Sequence, residues 1–109
     1  MEIKVSIKQR VGQAFAEGIY SENGFIVKAG GCISKDFAAH IQGGASAKKY
    51  RDDKEFVDRN GKILKDCAFK SPSTAAMFVT GRSTNGYVAW KIEDGKKSLG
   101  EYLKEKGIR

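Results

Sequence analysis

The sequence predicts a single α+β domain, residues 1–109, in which a small antiparallel sheet packs against two or three helices. Three observations predict this class: an alternating N-terminal strand, an Asn-Gly hairpin, and helices bounded by capping residues. The chain has 109 residues, of which 40% are hydrophobic and 30% charged. That composition is typical of a globular domain, and the length provides for one hydrophobic core, which excludes large two-domain enzymes.

The first three predicted strands come from simple periodicity. Apolar side chains at every second position predict a half-buried strand over residues 2–8. Residues 15–21 and 25–28 are rich in β-forming residues, and the Asn23-Gly24 pair between them is of a type that readily takes the positive φ angles of a tight turn. We therefore predict a hairpin that follows the first strand.

The middle of the chain predicts a helix between glycine-rich breaks. Residues 36–41 are amphipathic and fit either one helical turn or a loop. Ser46 can cap a helix from residue 47 to about residue 59, and Gly61 would end that helix in a left-handed conformation.

Capping residues mark the next helix at both ends. Short strands are predicted at 62–65 and 68–70. Ser71 then precedes Pro72 at the first position of a helix, and Gly81 follows its last residue. We therefore predict a helix over residues 72–80.

The C-terminal part predicts a strand and a final helix. A turn at Asn85-Gly86 leads into a predicted strand over residues 87–92. Ser98 and Glu101 have capping-box spacing, and Gly107 would close the helix that they start. The predicted core comprises large apolar side chains from these elements: Phe25, Phe69, Phe78, Val88, Trp90 and Leu103.

Catalytic and metal chemistry find little support in the sequence. The single histidine, His40, has no His or Cys at ligand spacing, and the acidic residues of the 47–59 helix alternate with Lys and Arg as on a solvated surface. Cys32 and Cys67 lack a CxxC partner and predict two reduced thiols. Gly18-Ile19-Tyr20 matches only the first half of the GIY-YIG nuclease signature. We predict no enzyme activity, cofactor or metal, and a minimal metal nuclease is the least favoured alternative.

The charge balance favours a polyanionic partner. The formal net charge is +7, and residues 62–109 carry ten basic and five acidic side chains, whereas residues 1–61 carry ten and eight. Such an excess attracts nucleic acid, although an incidental basic surface would have the same charge. No apolar run reaches the roughly 20 residues of a membrane span, and no signal-peptide pattern opens the chain, so we predict a cytoplasmic protein without a membrane partner.

Two groups of residues carry a resemblance to a known family. The first is Gly18-Ile19-Tyr20, followed by Gly24-Phe25 and by Val27-Lys28 before Gly30. The second is, in order, Phe69-Lys70-Ser71-Pro72-Ser73-Thr74-Ala75-Ala76, Gly81-Arg82, Asn85-Gly86, Trp90-Lys91, Asp94-Gly95 and Lys97-Ser98-Leu99. Over residues 15–103 the chain resembles the family called domain of unknown function 4357. It departs from the family between Gly61 and Phe69, where family members usually carry a longer hairpin.

The resemblance implies work on nucleic acid. Members of this family occur alone or at the C-terminus of GIY-YIG endonucleases, and the signature is similar to that of RAMA domains, which are inferred to recognise modified DNA. Nuclease chemistry in such two-domain relatives would lie in the other domain, so no catalytic residue is transferred to this chain. The implied function is a non-enzymatic DNA-binding accessory module beside a nuclease or restriction system. The alternative is a protein-interaction or structural module.

Most signature residues have a structural explanation as helix ends, turn or core, and the remainder predicts the binding site. Free amides at a helix N-terminus favour an anion such as phosphate. The lysines and Arg82 would contact phosphates, and Asn85 or Tyr87 would approach a base or sugar. The predicted nucleic-acid-binding residues are Lys70, Ser71, Ser73, Arg82, Asn85, Tyr87, Lys91, Lys96 and Lys97.

Overall fold

The computed structural model describes residues 2–9, 13–38, 45–92 and 96–108. Its elements in chain order are β1 (Glu2–Lys8), β2 (Phe15–Ser21), β3 (Gly24–Val27), α1 (Ala45–Asp52), β4 (Cys67–Phe69), α2 (Pro72–Thr80), α3 (Gly86–Ala89), β5 (Lys91–Ile92), β6 (Lys97–Ser98) and α4 (Leu99–Glu105). The strands form one antiparallel sheet in the order β4-β3-β2-β1-β5-β6. The α+β class is confirmed, with four helices within these described ranges where two or three were predicted.

The N-terminal strands follow the predicted periodicity. Ile3, Val5 and Ile7 of β1 are buried, and the side chains between them are exposed. The hairpin β2-β3 turns through residues 22–23, and Gly24 has a φ of 147° at the end of the turn. The first strand and the hairpin are therefore confirmed, but the turn lies one residue earlier than predicted and Asn23 does not have the expected positive φ.

The core lies between the helices and one face of the sheet. Helix α2 packs on β2, β3 and β4, and α4 packs on β5. Trp90 is fully buried, with its ring centroid 4.6 Å from that of Phe25, and its indole Nε1 donates a hydrogen bond to the Pro72 carbonyl at 2.9 Å. Five of the six predicted core residues are buried, and Val88 is the exception at 58% exposed.

Both helices with predicted caps form as expected. Ser71 Oγ accepts a hydrogen bond from Thr74 N at 3.2 Å, and Gly81 ends α2 with a φ of 72°. At α4, Ser98 Oγ accepts from Glu101 N at 3.2 Å and donates to the Glu101 carboxylate at 3.1 Å. The predicted N-cap is confirmed, but the Glu101 carboxylate contacts the Ser98 hydroxyl and not the Ser98 backbone N–H, as a full capping box would require.

Helix α1 is shorter than predicted and starts earlier. Ser46 lies inside its first turn instead of capping it, and the helix ends at Asp52. The Asp53 carboxylate accepts a hydrogen bond from Glu55 N at 2.9 Å, and this local turn competes with helical hydrogen bonding. Val57 then pairs with Ile63 in a β-bridge, so Gly61, with a φ of 85°, serves a turn and not a helix end.

The predicted strand over residues 87–92 is wrong in its first half. Asn85 Oδ1 accepts a hydrogen bond from Tyr87 N at 3.0 Å, so Asn85 caps the short helix α3 instead of forming a turn that leads into a strand. Only Lys91 and Ile92 pair as a strand, and Val88 faces solvent from α3.

The predicted strand at 68–70 is found one residue earlier as β4, and residues 62–63 form only β-bridges. The turn at 94–95, His40 and the end of segment 36–41 lie outside the described residues.

Gly86 allows α3 to sit directly on the start of α2. A Cβ atom at this position would overlap the Pro72 carbonyl group and Ser73 N. Because these are backbone atoms, a side chain cannot be accommodated by a rotamer change alone.

We therefore expect Gly86→Ala to lower the free energy of unfolding by about 3 kcal/mol, measured by urea denaturation. Gly107→Ala is the control, because Gly107 has a φ of 71° with no heavy atom near a Cβ, and should cost only about 1 kcal/mol. Equal losses in the two variants would contradict the close packing of α3 on α2.

Cys67 is an inert thiol in the folded protein. Its side chain is fully buried in β4, and burial raises its pKa to about 12, with a smaller contribution from the Asp66 and Asp53 charges. The thiolate is the reactive form of cysteine. Burial therefore protects this sulfur in two ways, because it blocks the access of a reagent and keeps the thiol protonated.

In a Cys32→Ser variant we expect Ellman's reagent at pH 8 to label Cys67 only as fast as the protein unfolds. The raised pKa also makes the folded state bind a proton that the unfolded state releases, so this stabilisation is complete below about pH 9 and is lost as the pH rises towards 12. Urea titrations between pH 8 and 10.5 should therefore show that the free energy of unfolding falls more steeply with pH in Cys32→Ser than in Cys32→Ser/Cys67→Ala. Rapid labelling of the folded protein would contradict the burial of Cys67.

Candidate functional site

The structure does not bring the nine predicted site residues together. Lys91 lies in a depression with Lys4 and Lys28, on the sheet face opposite the helices. Asn85 and Tyr87 line a groove with Ser98, Gly100 and Glu101 at the start of α4. Arg82 lines a third cavity, which shares no residue with the other two. Lys70 and Lys96 are exposed on turns, and Lys97 forms an ion pair with Glu105.

The two predicted serines maintain the fold at the N-terminus of α2. Ser71 caps the helix, and Ser73 Oγ accepts a hydrogen bond from Gly86 N at 2.9 Å. The backbone of Gly86 packs against Pro72 and Ser73. The start of α3 thus occupies the position at which an anion would approach the first amides of α2.

A cavity lies at the other end of α2. It has a volume of about 570 Å³, within the range of roughly 300–1,000 Å³ found for small-molecule sites. We call it the Arg82 cleft, and its lining residues are Gln9, Gln13, Ser34, Lys35, Asp36, Phe37, Ala38, Thr80, Gly81 and Arg82.

Gly81 holds Lys35 and Arg82 on the same cleft. A Cβ atom on Gly81 would overlap the Asp36 carbonyl oxygen and would lie 2.7 Å from Ser34 Oγ. The Gly81 carbonyl accepts a hydrogen bond from Ala38 N at 2.9 Å. The loop that carries Lys35 is therefore packed directly on the residue before Arg82, and Gly81 supplies both the left-handed φ and the missing side chain.

A hydrogen-bonded turn fixes the backbone of Arg82. Thr80 Oγ1 donates to the Ala76 carbonyl at 2.9 Å and accepts from Arg82 N at 3.3 Å. Thr84 Oγ1 donates to the Arg82 carbonyl at 2.9 Å. The guanidinium of Arg82 is thus an exposed group on a rigid main chain.

Arg51 of α1 joins this loop to the end of α2. Its Nε donates to the Phe78 carbonyl at 2.8 Å, its Nη2 donates to Ser34 Oγ at 2.7 Å, and its guanidinium lies over the Phe37 ring at 5.0 Å. Burial lowers the pKa of Arg51 to about 10, although the Asp52 and Asp36 charges act in the opposite direction. The group stays charged at neutral pH and offsets the negative end of the α2 dipole.

A second cavity of about 470 Å³, the Arg51 cleft, lies on the other side of the same loop. It shares Ser34, Lys35 and Phe37 with the Arg82 cleft. Its remaining lining residues are Ile33, Lys48, Arg51, Asp52, Lys54, Val57, Asp58, Arg59, Asn60 and Gly61. The two clefts therefore form one continuous surface around the 34–38 loop.

This surface carries more basic than acidic side chains. The basic residues are Lys35, Lys48, Arg51, Lys54, Arg59 and Arg82, and the acidic residues are Asp36, Asp52 and Asp58. Lys48 pairs with Asp52 at 2.8 Å, and Asp58 Oδ1 accepts from Asn60 N and Lys62 N. Lys35 and Arg82 form no ion pair with any other described residue.

Two neutral side chains add hydrogen-bonding capacity to the Arg82 cleft. Gln13 has a φ of 54°, the one non-glycine positive φ among the described residues, and lies at the cleft with Gln9. Gln9 Oε1 is buried and accepts no hydrogen bond from the described part of the chain. An amide presents both donors and acceptors, and the exposed Gln13 side chain is accessible to a base edge or a sugar hydroxyl.

Of these cleft residues, the sequence predicted Arg82 as a site residue but did not single out Lys35 or Arg51. Lys35 lies in an irregular loop, and Arg51 resembles any solvated helix cation until its contacts with α2 are known. In the described ranges, no three His, Cys, Asp or Glu side chains are grouped as metal ligands, and no helix has the length and apolar character needed to cross a membrane.

Comparison with known proteins identifies a family. Neither a search of curated proteins nor a search of solved structures found a match. The family model described as "Domain of unknown function (DUF4357)" matches residues 5–102, which includes most of β1 and extends the resemblance seen over residues 15–103 towards the N-terminus. The chain therefore belongs to the DUF4357 family.

Proposed function

We propose that the protein is a non-enzymatic nucleic-acid-binding module whose phosphate contacts centre on Lys35 and Arg82. The observation that carries this proposal is the pair of exposed cations, unpaired within the described chain, that Gly81 holds beside one cleft. A cation that forms no ion pair attracts phosphate without first having to break one. An Arg guanidinium also matches the geometry of phosphate with two parallel hydrogen bonds.

The Arg51 cleft would extend the phosphate contacts along the same surface. Lys54 and Arg59 line it and form no ion pair with another described residue. A backbone passing over the 34–38 loop would then meet four cations, and the amides of Gln9 and Gln13 would lie near a base or sugar.

This proposal keeps nucleic acid, the partner class predicted from the sequence, but assigns most of the phosphate contacts to other residues. Arg82 remains central, and Lys35, Lys54 and Arg59 replace Lys70, Lys91, Lys96 and Lys97. The resemblance to domains that accompany GIY-YIG endonucleases and to RAMA domains supports DNA as the polymer. A cytoplasmic role beside a nuclease or restriction system belongs to the same proposal.

Salt dependence tests whether phosphates are contacted at all. Four neutralised phosphates predict a slope of log affinity against log salt of roughly −3 to −4 for labelled DNA of about 20 nucleotides, measured by fluorescence anisotropy over about 50–300 mM NaCl. Single-stranded, duplex and adenine-methylated duplex DNA are compared, and a modified-base reader should prefer the methylated duplex. A flat salt response would contradict phosphate binding, and Mg²⁺-dependent cleavage would contradict the non-enzymatic assignment.

A charge-matched pair of variants tests the position of the site. We expect Arg82→Glu to weaken DNA binding by at least about tenfold at 150 mM NaCl. Lys4→Glu makes the same change of charge sign on the opposite face of the sheet and should change the affinity less than about threefold, because salt screens charges beyond about 8 Å. Equal losses would show that net charge, and not the Arg82 cleft, determines binding.

A further inference from the structure

One whole face of the sheet is not covered by any described element. The helices pack on the side that contains Val5 and Val27, and the alternate residues point away from them. We call the outward side the open face. Its residues, from the strand register, are Glu2, Lys4, Ser6, Lys8, Phe15, Glu17, Ile19, Ser21, Ile26, Ala68 and Lys91.

An aliphatic strip crosses three strands of the open face. Ile19 of β2 lies directly opposite Ile26 of β3, which lies opposite Ala68 of β4. Ile26 is 40% exposed, and Phe15 near the end of the same face is 47% exposed. Adjacent strands are about 4.8 Å apart, so the strip is continuous and offers apolar area to a binding partner.

A depression of about 370 Å³ lies beside this strip. The small side chain of Ser6 stands between Lys91 on one neighbouring strand and Glu17 on the other, which leaves room above the sheet. Lys28 at its edge pairs with Asp66 at 2.7 Å. Lys4 and Lys91 form no ion pair within the described chain and remain available for an incoming anion.

We propose that the open face docks an acidic, aliphatic segment of a partner protein. A carboxylate of that segment enters the depression between Lys4 and Lys91, and a neighbouring apolar side chain lies on Ile19 and Ile26. This inference goes beyond the proposed nucleic-acid binding and uses a different surface, because the depression and the Arg82 cleft share no residue.

The chemistry of the open face favours a protein over a nucleic acid. Glu17 lies in the middle of the face, where it would repel a backbone with one charge per nucleotide. Single-stranded nucleic acid also binds through stacking on successive aromatic rings. The outward residues provide one ring, Phe15, whereas Ile19 and Ile26 form the centre. A peptide can place its charges selectively and match this pattern.

Peptide selection on the full chain tests the proposal. Displayed random peptides of about ten residues are long enough to cross the face at roughly 3.3 Å per residue. We expect the enriched peptides to have an excess of Asp and Glu together with at least one aliphatic residue. A synthetic consensus peptide should lose at least about tenfold in affinity in Lys4→Glu and in Ile26→Ser, and should bind Arg82→Glu as it binds the wild type.

Three results would overturn the proposal. The first is enrichment of peptides without acidic residues, and the second is equal peptide affinity for the wild type and both open-face variants. The third is displacement of the peptide by a thymidine oligonucleotide at the concentration at which that oligonucleotide binds the protein. Circular dichroism of each variant confirms that it is folded. Arg82→Glu and Lys4→Glu serve as each other's controls. The first should weaken the binding of DNA alone, and the second should weaken the binding of the peptide alone. Failure of either proposal is thereby distinguished from failure of the other.

Discussion

The arrangement of the candidate site depends on how the C-terminal end of α2 is closed. The last carbonyls of a helix lack partners within it, and an unpaired buried carbonyl costs about 1–3 kcal/mol. Arg51 and Ser34 supply donors to Phe78, Val79 and Thr80 from two distant parts of the chain. These contacts require the 34–38 loop to lie on Gly81, and Lys35 consequently comes to rest beside the residue that follows Gly81. Lys35 and Arg82 thus lie close together because of the way in which α2 ends.

The opposite end of α2 explains why a strand-like sequence forms a helix. Tyr87 and Val88 have β-forming side chains, but the indole of Trp90 donates to the Pro72 carbonyl and Gly86 N donates to Ser73 Oγ. Both contacts hold the segment against the first turn of α2. The four-residue helix α3 connects one contact to the other. Tertiary hydrogen bonds decide the local conformation here, and the exposure of Val88 is the consequence.

Rules that act over a few residues predicted most of the fold. Alternation in β1, the hairpin near Asn23-Gly24, the caps of α2 and the Ser98 N-cap of α4 each depend on neighbours in sequence, and all are confirmed. The site was less predictable because its contacts are long-range: Arg51 reaches carbonyls 27 and 28 positions away, and Gly81 packs on a loop about 45 positions earlier. No local pattern encodes those partners.

The division of charge along the chain does not correspond to a division of surface. The excess of basic residues lies in residues 62–109, yet the Arg82 cleft combines Lys35 with Arg82, and the open face combines Lys4 with Lys91. Each surface therefore joins the two halves of the chain. Lys4 and Gln9 are five residues apart on an extended segment, about 16 Å at 3.3 Å per residue. That distance is about twice the screening length at physiological salt, so the charge of a ligand held by Lys4 would be largely screened at Gln9.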